Sequence, residues 1–95
     1  DGFVMWFNKM LLKHRGKEGN FKKLSKTDIN NLKQLKQLNF DNSDWEKVFI
    51  TMSKNQWVID NKMCTPSHYL RNDNFQKYLN QYEQNSNTEF NFAWV

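Results

Sequence analysis

The stripe formed by Trp45, Val48, Phe49 and Met52 restricts this chain more than any other feature. Its i, i+3, i+4, i+7 spacing gathers on one face only if the backbone is α-helical, whereas a strand would scatter the same residues over both faces. A short helix with one apolar face is marginal alone and needs other apolar faces to cover it. The rest of the sequence supplies them. Phe3, Trp6, Phe7, Met10 and Leu11 share one face of a helix predicted over 2–14. Met5 and Leu12, seven apart, fall on its far side, either as ordinary exposed apolar residues or as a face for a partner. Ile29, Leu32, Leu35 and Leu38 recur every third residue in a helix predicted over 28–38, which spreads the apolar arc broadly. Phe75, Tyr78, Leu79 and Tyr82 line a last helix over 74–84.

Local punctuation places the boundaries. Ser25 or Thr27 can cap the second helix, and Asp28 suits its positive end. Ser43 with Glu46 three residues later reads as a capping box that opens the third helix over 44–54. Thr65-Pro66 starts a helix of one to two turns through His68, Tyr69 and Leu70, and Arg71-Asn72-Asp73 interrupts it. Gly16 and Gly19 end the first helix and open a basic loop over 15–26, which Phe21 and Leu24 tie to the core. Gln56-Trp57-Val58-Ile59 reads as a strand fragment or an extended connector. The expected fold is therefore all-α, a compact bundle of four to five short helices over 1–84. A polar linker and an aromatic tail follow over 85–95. Phe90, Phe92 and Trp94 alternate as in a strand, so this tail reads as a short extended segment. It can bury on its own bundle, on a second copy or on another protein, which makes these three the candidate partner-binding residues.

The residues offer little for bond-making chemistry. Cys64, His68 and His14 are too few for a structural zinc site, which takes four ligands, so no metal is expected. Cys64 and His68 lack the third group and the oxyanion donor that a nucleophile pair needs. Asp41, Asp44 and Glu46 crowd one helix start, where capping and the helix dipole account for them. The glycines match neither a dinucleotide nor a phosphate-loop fingerprint. The reading is non-enzymatic and without a cofactor. A single cysteine cannot form an internal disulfide and fits a reducing, cytoplasmic setting. No apolar run approaches the roughly 20 residues of a membrane span. The start at Asp1 reads as the cut end of a longer protein.

Charge carries the functional signal. Residues 1–36 hold nine Lys/Arg against three Asp/Glu, whereas 37–95 hold five against seven. Lys9, Lys13, Arg15, Lys17, Lys22, Lys23, Lys26 and Lys33 gather at the end of the first helix, in its loop and along the second helix. Such groups neutralise phosphates without reading sequence, so DNA is the expected anionic partner. Lysine outnumbers arginine, which does not favour bidentate guanine readout.

One segment has a recognisable look. Met63-Cys64-Thr65-Pro66-Ser67-His68-Tyr69-Leu70-Arg71-Asn72-Asp73-Asn74-Phe75-Gln76-Lys77-Tyr78-Leu79-Asn80 is similar to the end of the conserved C-terminal domain of phage and prophage replication-initiation (replisome organiser-like) proteins. The order upstream also resembles that family: a Phe-Asn in an opening helix, a basic loop, a second helix and Trp45 opening a third. The likeness extends over about residues 3–81. It implies a helical accessory domain behind a DNA-binding domain, with a helicase, a helicase loader or a second copy as protein partner. It carries over no catalytic residue. Two rival readings stand beside it: a protein-binding or oligomerising domain that works through its aromatic tail, and a helix-turn-helix transcriptional regulator.

Overall fold

Six short helices arise where caps and apolar spacing coincide: α1 (Gly2–Arg15), α2 (Lys26–Gln37), α3 (Asn42–Lys54), α4 (Gln56–Asp60), α5 (Pro66–Leu70) and α6 (Asn72–Phe92). The computed structural model describes residues 2–92, with side chains described for 2–84. There is no strand among the described residues, and the chain is a small all-α bundle as expected. No helix in this range is long and apolar enough to cross a membrane. The backbone of 90–92 is helical, within α6, rather than extended as the alternation of Phe90 and Phe92 suggested. The side chains of Phe90 and Phe92, and Trp94 as a whole, lie outside the described residues.

Three helix starts show how local chemistry sets the elements. Ser25 caps α2, its hydroxyl accepting from the Asp28 amide at 3.1 Å. Thr65 caps α5 by accepting from the His68 amide at 3.2 Å, with Pro66 at the first helical position where its missing N–H costs nothing. The start of α3 departs from expectation. Asp41, not Ser43, is the cap, and the Asp44 carboxylate accepts from the Asp41 amide at 3.1 Å. This earlier start puts Phe40 just before the cap and Trp45 at the fourth helical position, the two positions of a hydrophobic staple. Both rings then pack on Phe75, with centroids 4.8 and 4.9 Å away.

The connector after α3 is helical rather than extended. Asn55 ends α3 and also caps α4, accepting from the Val58 amide at 3.1 Å. That single turn buries Val58 and leaves Trp57 56% exposed and Ile59 39% exposed, so the apolar run is not a packed strand. Arg71, extended at φ −66 and ψ 128, separates α5 from α6.

The core surrounds α3, which packs on α1, α4, α5 and α6. Its Val48, Phe49 and Met52 are fully buried with Phe7, Leu35, Val58, Tyr69, Leu70 and Phe75. Tyr69 lies within ring-packing distance of Phe3, Trp6, Phe7, Trp45, Phe49 and Phe75. Its hydroxyl donates to the Trp45 carbonyl at 2.7 Å, so the buried phenol keeps a partner. Two further polar ties enter the interior. Ser67 donates to the Asp28 carboxylate at 2.7 Å, joining α5 to α2. The His68 ring meets the Tyr78 hydroxyl at 2.8 Å and the Asn74 side-chain amide at 3.3 Å. Every buried side-chain nitrogen or oxygen among the described residues has a partner.

Because Phe49 is fully enclosed by aromatic neighbours, Phe49→Ala is expected to cost about 3–5 kcal/mol, through lost burial and a cavity that rigid rings cannot fill. Equilibrium urea unfolding measures this as a lower midpoint with an unchanged slope.

Candidate nucleic-acid interface

The basic loop is shaped by one side chain of α1. Asn8 donates through Nδ2 to the Phe21 carbonyl at 3.0 Å and accepts through Oδ1 from the Phe21 amide at 3.2 Å. The Gly19 amide donates to the Asn8 carbonyl at 3.2 Å. The returning chain is thereby paired to α1 although neither partner is a strand. Gly16 reverses direction with φ +80, a left-handed conformation that favours glycine. Gly19 is needed for a different reason. A Cβ there would run into the Leu11 side chain and stand 3.3 Å from the Asn8 Cα. Phe21 then packs edge-on to Phe7 with centroids 5.7 Å apart, as its anchoring role requires.

This geometry holds the expected basic residues on exposed positions. Lys9, Lys13, Arg15, Lys17, Lys22, Lys23, Lys26 and Lys33 are all exposed. Among the described residues, no carboxylate pairs with Lys9, Lys17, Lys22, Lys23, Lys26 or Lys33. Two of the eight, Lys13 and Arg15, are engaged. Lys13 Nζ reaches the Glu46 carboxylate at 2.7 Å, and His14 Nε2 meets the same oxygen at 2.8 Å. These two hydrogen bonds hold the Glu46 carboxyl below its usual range. Freed from the capping role that the sequence suggested, Glu46 ties the end of α1 to α3. Arg15 lies beside Cys64. Burial pushes that thiol up, and the guanidinium partly opposes the shift.

The other candidate residues lie around the contact of α5 with α6. The His68 ring is bonded to Tyr78 and Asn74, and burial pushes its pKa down. Cys64 has Arg15 beside it and also acts on Tyr78, whose hydroxyl bonds the His68 ring. No three His, Cys, Asp or Glu converge as metal ligands among the described residues.

One surface was missed by the sequence reading. A groove of about 720 Å³ lies where α1, the end of α2 and the start of α3 meet. It is lined by Gly2, Phe3, Trp6, Leu32, Lys36, Asn39, Phe40, Asn42 and Trp45. Phe3, Trp6, Phe40 and Trp45 are half-buried, so each ring is shared between core and groove. Asn39 takes a left-handed backbone at φ 57 just past α2, which turns the chain toward Phe40. The groove combines three segments distant in sequence, and the rings of α1 and α3 sit at core-like helical spacing, so the sequence pattern carried no sign of it.

Comparison with protein-family models, curated proteins and solved structures finds no match to this chain.

Two outcomes follow. Gly19→Ala should lower stability by about 1–3 kcal/mol, because Leu11 and the loop must move apart, and thermal unfolding followed by circular dichroism reads the loss. Glu46→Gln tests the tie. A carboxyl held low in the fold contributes stability above its unfolded pKa and loses it as pH falls through the folded value. The gap in urea midpoint between wild type and Glu46→Gln should therefore be present near neutral pH and shrink below about pH 4.5.

Proposed function

We propose that this chain is a non-enzymatic interaction domain of a phage- or mobile-element-type DNA replication protein. It docks on nucleic-acid phosphates and works in the cytoplasm. One observation carries the binding part: six exposed lysines on α1, its loop and α2 have no carboxylate partner among the described residues. Charge of this kind releases counterions from a phosphate backbone and supplies affinity without sequence readout. The replication part rests on the resemblance of residues 63–80 to the replication-initiation proteins. Lys22 and Lys23 are the residues to test, since the Asn8 clamp on neighbouring Phe21 fixes their position.

A second reading has its own observation. Met5 and Leu12 are 60% and 48% exposed on the outer face of α1. That apolar face suits a protein partner such as a helicase, its loader or a second copy. On this reading the α1 face acts with the C-terminal aromatic residues, and the lysines are only a solvated rim.

The two separate in one titration series. Lys22→Glu with Lys23→Glu should weaken DNA binding evenly across sequences and reduce the log–log salt slope by about two. Fluorescence anisotropy of labelled DNA at several salt concentrations measures both quantities. Unchanged affinity and slope in the double variant would remove the phosphate-binding reading.

A further inference from the structure

The lysine rim can hold a phosphate chain, but it does not account for the groove at its edge. The groove places four half-buried aromatic rings around an opening whose lining, among the described residues, holds no carboxylate. Phe3 and Trp6, with centroids 5.7 Å apart, form the wall supplied by α1. Phe40 and Trp45, both backed by Phe75, form the wall supplied by the turn and α3. Backing by a fully buried ring holds these side chains in place, so they need little ordering when a flat ligand enters. The volume falls in the range of clefts that hold small organic groups, roughly 300–1,000 Å³.

Charge around the opening is one-sided. Lys36 lines it, and Lys33 lies one turn earlier on α2. On the other lip, Asp41 lies between the lining residues Phe40 and Asn42, and Asp44 precedes Trp45; the Asp44 carboxylate accepts from the Asp41 amide and lies 3.8 Å from Lys47. An anionic chain would therefore approach over α2, on the side that continues to Lys26 and the basic loop.

We infer that the groove between α1, the end of α2 and the start of α3 is a stacking site for an unpaired base of single-stranded nucleic acid, whose phosphates run over Lys36 and Lys33. The inference rests on the phosphate-binding reading of the rim and deepens it by naming the form of nucleic acid. Base faces are covered by their neighbours inside a duplex and are free only in a single strand, so aromatic walls select the unpaired form. The site is sequence-tolerant, because every base has a π-face. Asn39 and Asn42 at the opening add amide groups within the lining that can meet base edges.

The test compares a short labelled oligothymidylate with a duplex of equal length, using the full chain. Phe40→Ala should weaken oligothymidylate binding about tenfold, the loss expected when one base loses a stacking partner, and leave duplex binding unchanged. Lys22→Glu with Lys23→Glu should weaken both. A second measurement needs no change in the groove. In a Trp57→Phe, Trp94→Phe background the remaining tryptophans are Trp6 and Trp45. Their fluorescence should be quenched by oligothymidylate and not by inorganic polyphosphate, which has charge but no base. Equal quenching by polyphosphate overturns the groove assignment, and so does an equal effect of Phe40→Ala on single strand and duplex. The phosphate-binding reading survives either result. Self-association that Phe40→Ala abolishes, without single-strand preference, assigns the groove to a second copy and also overturns the proposal. Loss of all nucleic-acid binding by the wild-type chain would sink both readings together.

Discussion

Tyr69 stands in a helix of five residues, too short to persist on its own, yet six aromatic rings from three other helices converge on it. Its ring supplies the apolar surface that α1, α3 and α6 share, and its hydroxyl meets the Trp45 carbonyl without exposing either group to an unpaired state. Edge-to-face contacts of this kind add to simple burial and fix orientation. The placement of Thr65 and Pro66 therefore matters beyond α5, because the cap sets the direction in which Tyr69 points. A small domain with limited core volume gains much of its specificity from such a centre.

Around this centre the polar groups tie one helix to another. Asp28 and Ser67 join α2 to α5, and His68 of α5 bonds Asn74 and Tyr78 of α6. The His68 ring favours its neutral form because charging it would cost desolvation. Acid therefore works against the fold at two places in sequence. As pH falls below 6.5, the ordinary imidazole value, the unfolded chain takes up a proton that the folded His68 resists, and stability is lost. Protonation releases Glu46 from Lys13 and His14 at lower pH still. Both groups lose folded-state stability in the same direction, so neutral conditions suit the bundle.

Much of this was legible in the chain because the deciding chemistry was local. Thr65-Pro66, Ser25 and the Trp45-Val48-Phe49-Met52 stripe each specify an element within a few residues. The start of α3 was not legible, because Asp41 and Ser43 are both good caps. The choice falls to Phe40 and Trp45 packing on Phe75, a contact that only the tertiary fold provides. Residues 56–59 misled for the opposite reason. Their apolar character suggested an extended buried segment, whereas Val58 alone is buried there. The basic residues were legible as a set since exposure costs a lysine nothing. The groove was hidden because rings that line it also serve the core, so spacing alone assigned them wholly inward.

The clamp between Asn8 and Phe21 has a consequence for how such a domain can diverge. Both of its hydrogen bonds reach main-chain atoms, so the loop's path depends on Asn8 and on the glycines more than on the identity of the residues it carries. Side chains at 17, 18, 20, 22 and 23 point into solvent and can be exchanged without disturbing the path. Surface charge can then drift toward a new ligand while the scaffold beneath it stays unaltered, which separates the evolution of affinity from that of foldability.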